Sequence, residues 1–177
     1  YIHYGVREHG MAAIMNGIAA TKIYKTYSGT FLSFADYMKP SLRLAALMKI
    51  DPIQVFTHDS IGLGEDGPTH QPIEQINMLR LIPNSYVFRP CDLKETIVCW
   101  KEALKIDNAP SFICLSRQNL PQISNKKLVS KNFKGAYVIS GPKKNNDITI
   151  IATGSEVSLA VNIAEVLKNN GIIAKVI

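Results

Sequence analysis

His58 and His70 stand among carboxylates and glycines in residues 57–72, THDSIGLGEDGPTHQP, with Asp59, Glu65 and Asp66 between them. Histidine changes charge near neutral pH and carboxylates bias that change, so the set suits proton transfer, substrate recognition or metal ligation. For a metal the spacing is wrong: there is neither HxxxH on a helix nor an acidic oxygen cage. Gly62, Gly64 and Gly67 satisfy GxGxxG, but Glu65 and Asp66 sit inside it and Pro68 follows where a helix should receive a pyrophosphate. Carboxylates there would repel that group, which argues against a nicotinamide or flavin site. A solvated surface loop is the plain alternative.

Other chemistry-bearing residues lie outside the loop. Arg117 follows a buried apolar run and is either half of a salt bridge or a cation for an anionic group such as phosphate, sharing a crevice with His58. Glu8 leads into an alanine-rich helix, where a buried charge needs a partner; either Arg7 supplies it or a ligand does. Phe31, Phe34 and Tyr37 recur at spacings of three, as a core stripe or as the wall of a flat-ring pocket. Gly154-Ser155, at a strand-to-helix turn, is a plain capped turn rather than an anion site.

These residues need a frame. Residues 53–57 form a buried strand that delivers the loop, and residues 72–81, with Ile73, Ile76 and Leu79, form the helix that leaves it. Upstream, Met11, Ile14 and Ile18 give the inner face of a helix over 8–22. Residues 24–27 suggest a weak strand and Ser28-Gly29 a turn. Ser33 with Asp36 resembles a capping box for a helix running to Lys49, which Pro40 should kink or restart. Downstream come a strand over 86–88 and a helix capped by Asp92 and Glu95, with Leu93, Ile97, Trp100 and Leu104 inside. A strand over 112–115 follows. Residues 118–146 form a linker with one possible strand over 136–139. A second unit starts with a strand over 148–152 and a helix capped by Thr153 and Glu156. That helix turns Val157, Ala160, Val161, Ala164 and Leu167 inward, and a strand over 172–177 ends the chain. Alternating strands and helices imply an α/β fold with a mainly parallel sheet flanked by helices. The domains read as 1–117, an interdomain linker at 118–146, and the beginning of a second α/β domain at 147–177.

The chain has 177 residues, 46% hydrophobic and 19% charged, which is ordinary for a globular protein. No apolar run approaches the roughly 20 residues of a membrane span. The net charge of +6 leans toward anionic partners, but the lysine-rich stretch between Lys126 and Lys144 has few interleaved aromatics. It reads as a solvated linker rather than a nucleic-acid surface. Cys91, Cys99 and Cys114 have no metal-ligand spacing and read as small core residues in a reducing compartment. Tyr1 in place of methionine, and the apolar ending AKVI, predict a piece of a longer chain.

Taken together, VREHGMAAIMNGIA, GTFLSFADY, THDSIGLGEDGPTHQPIEQ, RPCD, SRQNLP and ATGSEVSLAV resemble the transketolase family of thiamine-diphosphate enzymes, in the family's order from residue 6 onward. The resemblance implies the pyrimidine-binding middle domain and the start of the C-terminal domain. It also implies an absent amino-terminal domain, which in the family holds the diphosphate and a divalent cation, Mg²⁺ or Ca²⁺; no metal ligand is expected here. On this resemblance Glu8 hydrogen-bonds the aminopyrimidine ring, and Phe31, Phe34 and Tyr37 form its aromatic pocket. His58 and Arg117 hold the sugar phosphate, Asp66 reads a donor hydroxyl, and His70 lies beside the reacting carbons. The family moves a two-carbon ketol unit from a ketose phosphate to an aldose phosphate in the pentose phosphate pathway. Its chemistry runs through a thiamine-diphosphate carbanion. The resemblance further implies a cytoplasmic homodimer with active sites between subunits, no nucleic-acid or membrane partner, and no activity in this piece alone.

Related thiamine-diphosphate enzymes, such as a deoxyxylulose phosphate synthase or the decarboxylating component of an oxo-acid dehydrogenase, share the glutamate. They are not expected to carry the paired histidines in this form. A catalytically silent scaffold would have no reason to keep Glu8, His58, Asp66, His70 and Arg117 together.

Overall fold

Alternation along the strands builds the first unit from its middle outward. In β2 (Ile53–Thr57), Ile53 and Val55 point to one side and Gln54 and Phe56 to the other. β4 (Ser111–Cys114) is buried along its whole length, as a central parallel strand must be when both faces are covered. These two strands pair with each other, and β1 (Tyr27–Phe31) and β3 (Tyr86–Phe88) flank them. All pairings are parallel, in the order β1-β2-β4-β3. One face carries Phe56 and Phe112 against Met11, Ala12, Leu32, Met38 and Leu42. The other carries Ile53 and Ile113 against Ala103, with Val55, Phe88 and Trp100 packed around them.

The computed structural model describes residues 1–123 and 135–177. Its contacts divide them into two compact units, Tyr1–Phe88 with Trp100–Gln118, and Arg89–Cys99 with the described part of Asn119–Ile177. Lys126, Lys127, Lys131 and Lys134 of the lysine-rich stretch, and the middle of the expected linker, lie outside the described residues.

Several elements differ from expectation, each for a local reason. Helix α1 (Glu8–Ala20) buries Met11, Ala12, Met15, Asn16 and Ala19, while Ile14 is exposed. The small residues Ala12 and Ala19 let the helix lie close, and the buried Asn16 amide is satisfied by the Ser41 carbonyl at 2.8 Å. Ser28 and Gly29 are not a turn but lie within β1, paired with Gln54 and Val55. No capping box forms at Ser33: residues Leu32–Phe34 make a 3₁₀ turn that runs directly into α2 (Ala35–Met48). Pro40 lies inside α2, which continues past it. Helix α3 (Gln75–Arg80) is shorter than the expected 72–81.

Helix α4 (Leu93–Lys105) starts as expected. Asp92 Oδ1 accepts from the Glu95 amide at 3.0 Å, and Glu95 Oε2 accepts from the Cys91 amide at 2.7 Å. Its inner face is different. Cys99 and Ala103 are buried, whereas Leu93, Ile97 and Leu104 are 68%, 47% and 55% exposed. The small side chains allow the closer approach. All three cysteines are buried, and none forms a disulfide. Burial and the neighbouring Glu95 carboxylate raise the Cys91 thiol well above its ordinary value and push Cys99 up to about 12, so neither is a ready nucleophile.

In the second unit, β5 (Ile148–Ile150) and β6 (Ala174–Val176) pair in parallel beside α5 (Glu156–Asn169). Val157, Ala160 and Ala164 face inward, with Val161 and Leu167 partly buried against the same cluster, as the spacing predicts. The expected strand over 136–139 reduces to one antiparallel bridge, Ser140 with Val176. Thr153 and Glu156 do not form a capping box, because Arg89 engages both: its guanidinium donates to Thr153 Oγ1 at 3.1 Å and pairs with Glu156.

Candidate active site

The carboxyl ends of β1, β2 and β4 converge on one side of the sheet, where an open α/β sheet places its crevice. Phe31 ends β1 and is the register partner of Thr57, the last residue of β2. His58 follows at once, so its ring comes to rest on Phe31, with centroids 3.6 Å apart and planes inclined by 19°. The next links follow from helical geometry. In a 3₁₀ turn, residues three apart eclipse, and Phe31 stacks with Phe34 at 6.0 Å. The start of α2 continues the row to Tyr37, 6.1 Å from Phe34. His70 meets the row edge-on, 5.2 Å from Phe34 and 6.3 Å from Phe31. Tyr37, Phe34, Phe31 and His58 therefore form one continuous aromatic row, capped from the side by His70.

The loop that carries the histidines is held in an unusual backbone shape. His58 takes a left-handed φ of 59°, a conformation that costs a non-glycine residue on the order of 1 kcal/mol. Thr57 Oγ1 sits 2.9 Å from His58 Nδ1, and Thr69 Oγ1 sits 2.8 Å from His70 Nδ1. The loop opens on a short 3₁₀ turn, Ile61–Leu63, capped by Ser60, whose Oγ accepts from the Gly62 amide at 3.2 Å. At Gly62 a Cβ would lie 2.8 Å from the side-chain amide nitrogen of Gln118, so a larger residue there would push the end of that side chain aside. The glycines thus shape the turn and accommodate Gln118.

Burial lowers the pKa of His58 from 6.5, the positive field of Arg117 lowers it further, and Asp66 and Asp59 act in the opposite sense. Arg117 and Asp66, both exposed, are therefore within electrostatic reach of the His58 ring. His58 is neutral at pH 7, with its free ring edge available to donate or accept a hydrogen bond. In an NMR titration its midpoint is expected below 6.5, and Arg117→Ala should move it upward. A midpoint unmoved by that substitution would remove Arg117 from its surroundings.

Glu8 is half-buried at the first position of α1. Arg7 does not pair with it but donates to the Tyr4 carbonyl at 3.1 Å. Among the described residues Glu8 makes no side-chain hydrogen bond, ion pair or ring contact. Of the residues singled out in the sequence, Phe31, Phe34, Tyr37, His58 and His70 are in mutual contact. Asp66 and Arg117 act on His58 through their charge, and Glu8 touches none of them.

Beside the aromatic row lies a cleft of about 410 Å³, lined by Ser33, Phe34, Asp36 and Tyr37 from one side and Pro68, Thr69 and Gln71 from the other. Ser33 is 9% exposed, and its Oγ has no hydrogen-bond partner among the described residues. Ser33 is not the helix cap that its spacing predicts, and no motif marks Gln75, which joins the two sides of the cleft. The only signal for Gln75 was a polar residue on the inward side of the helix over 72–81. Among the described residues, no group of three His, Cys, Asp or Glu side chains is placed to hold a metal ion, and no helix is long and apolar enough to cross a membrane.

Comparison with known proteins gives one consistent result. Residues 1–122 match the family model for the transketolase pyrimidine binding domain, and residues 135–177 match the transketolase-like TK C-terminal domain. The chain is 54% identical to a transketolase of Sinorhizobium medicae over 100% of its length, and 54% identical to a transketolase 2 of Vibrio parahaemolyticus over 97%. It spans 26% of the length of each. A solved transketolase of Pichia stipitis in complex with sedoheptulose 7-phosphate superposes with a TM-score of 0.92 at 51% identity, over 99% of this chain and 26% of that one. A split-gene transketolase, solved as an inactive β4 tetramer, gives a TM-score of 0.81 at 28% identity, over 97% of this chain and 54% of that one. With both family models in order along it, the chain belongs to the transketolase family, with residues 1–122 in its pyrimidine-binding domain and residues 135–177 in its C-terminal domain.

Proposed function

We propose that this chain is the coenzyme-pyrimidine and sugar-phosphate half of a transketolase active site, within a longer polypeptide that supplies the rest. The complete polypeptide transfers a two-carbon ketol unit from a ketose phosphate, such as xylulose 5-phosphate, to an aldose phosphate, such as ribose 5-phosphate. That is a reaction of the pentose phosphate pathway. The observation that carries this reading is the aromatic row from Tyr37 to His58 with His70 set against its side. Such a wall suits a flat heteroaromatic ring, and the histidines suit a polar substrate at its end.

The residues present fit thiamine diphosphate. Ser33 Oγ lies buried at the cleft with no hydrogen-bond partner among the described residues, and Glu8 holds a half-buried carboxyl that its neighbour Arg7 does not neutralise. When bound, the coenzyme supplies the nucleophilic carbon and the electron sink. With the coenzyme in place, Glu8 would share a proton with a pyrimidine nitrogen, and Phe31, Phe34 and Tyr37 would hold the ring and keep water from it. His70 exchanges hydrogen bonds with the substrate oxygen nearest the reacting carbons. Asp66 accepts from a donor hydroxyl, and His58 with Arg117 receives the phosphate at the mouth. A divalent cation belongs with the diphosphate, on the half of the site this chain does not contain.

Two further observations support the assembly this requires. Tyr37 and Ile73, which both line the cleft, are largely exposed, as suits burial against a second copy. The split-gene relative is described as an inactive tetramer, which favours a piece of this kind being inactive alone.

The test is a ketol-transfer assay on the complete polypeptide with xylulose 5-phosphate and ribose 5-phosphate, with and without thiamine diphosphate. Transfer should require the coenzyme. Arg117→Ala should raise KM for phosphorylated sugars about tenfold or more, since charge-assisted bonds to phosphate contribute about 1.5–3 kcal/mol. Unphosphorylated donors should be affected much less. Equal losses for both classes would take Arg117 out of the phosphate site, and transfer without coenzyme would overturn the assignment.

A further inference from the structure

Gln75 opens helix α3, is only 5% exposed, and uses both ends of its amide. Its Nε2 donates to Asp36 Oδ2 at 3.0 Å, and its Oε1 accepts from the Ile73 amide at 2.9 Å. Asp36 lies on the first turn of α2, directly before Tyr37 and two residues after Phe34. Ile73 lies three residues after His70, at the end of the histidine loop. The two bonds therefore tie the aromatic wall to the strand of chain that carries His70, across the cleft that both line. Only a primary amide does this with neutral chemistry, because it offers a donor and an acceptor from one planar group. A hydrocarbon would lose both bonds, and a carboxylate would face the Asp36 carboxylate.

We propose that Gln75 is a positioning residue: by bridging Asp36 and the Ile73 backbone it sets the spacing between the Phe34–Tyr37 wall and His70, and so the tightness with which the coenzyme's ring is held. This inference rests on the proposed coenzyme site. It adds a residue that touches neither the ring contacts nor the sugar-binding histidines.

The polarity of the bridge makes it testable by exchange. In Gln75→Glu two carboxylates meet at Asp36. At low pH they share a proton and the bridge survives; as pH rises both ionise and repel, and the bridge opens. Glu74 also lines the cleft and is unchanged in every variant, so it cannot produce the difference. The double variant Asp36→Asn with Gln75→Glu reverses donor and acceptor and restores the bridge at all pH values.

Thiamine diphosphate dissociation constants of the complete polypeptide, measured by calorimetry from pH 5.5 to 8, should follow this order. Gln75→Leu should bind about tenfold more weakly throughout, the loss of roughly 1.4 kcal/mol expected from two bridging hydrogen bonds. Gln75→Glu should bind about tenfold more weakly than the parent at pH 8, with the deficit narrowing as pH falls, and the double variant should regain parental affinity at pH 8. Gln75→Glu with the parent's pH dependence, or a double variant no better than the single one, would overturn the proposal. Glu8→Gln and Phe34→Ala serve as controls. If they weaken binding while the Gln75 variants do not, the bridge alone fails. If none of them weakens it, the coenzyme site itself is misplaced and the bridge falls with it.

Discussion

Glu8→Gln is expected to reduce ketol-transfer turnover of the complete polypeptide by roughly 10²–10⁴-fold at saturating coenzyme, the usual worth of a positioned proton-transfer group. Glutamine keeps the size of the side chain and its reach from the first turn of α1. It removes the exchangeable proton, which is the property the chemistry needs. The fold should survive, because Glu8 has no partner among the described residues to lose, and its favourable place at a helix N-terminus contributes only about 0.3–1 kcal/mol. Circular dichroism and the thermal midpoint should therefore stay close to the parent while turnover collapses. Parental turnover would sink the role of Glu8, and a collapse of both turnover and fold would mean that Glu8 is structural.

Phe112→Ala should be the most damaging single change to the fold. Phe112 is fully buried in the second position of β4, between register partners Gln54 and Val87, and its ring lies 6.2 Å from that of Phe56. Strands on both sides and the helices over this face prevent collapse into the space left behind. The cost should thus lie near the range for buried aromatics, about 3–5 kcal/mol. Against a total stability of roughly 5–15 kcal/mol, that is a large share. Trp100, the only tryptophan in the chain, packs on the opposite face of the same sheet and reports the transition by fluorescence. Denaturant titration should show a midpoint far below the parent's. The exposed Leu47, changed to alanine, should move the midpoint by less than about 0.5 kcal/mol equivalent. Similar shifts for the two variants would contradict the packing described for the sheet.

The two changes separate the layers of the molecule. Phe112 belongs to the scaffold, and its loss is felt by every element on that face. Glu8 stands at a helix end with spare bonding capacity, and its loss is felt only by a reaction. Gln75 lies between them, since its bonds are structural but the spacing they set belongs to the cleft.

What the amino-acid sequence determined by itself is the alternation of strands and helices, the strand that delivers the histidine loop, and the residue types of the site. Those signals are local: apolar runs of strand length, the Asp92–Glu95 cap, and dense clusters of histidine, acid and glycine in one stretch. The spacing of Phe31, Phe34 and Tyr37 was legible too, but not its meaning, because the same period serves a core stripe and an exposed wall. Tertiary structure decided between them. Register places Phe31 beside Thr57, which brings His58 onto its ring, and no pattern in either segment encodes that pairing. The inner faces of α1 and α4 were also beyond local reading. There, alanine and cysteine allow closer approach than the larger residues next to them, so Ile14, Leu93, Ile97 and Leu104 are left outside. The Gln75 bridge belongs to the same class, because its partners come from segments 39 residues apart and only the folded chain brings them within hydrogen-bond distance.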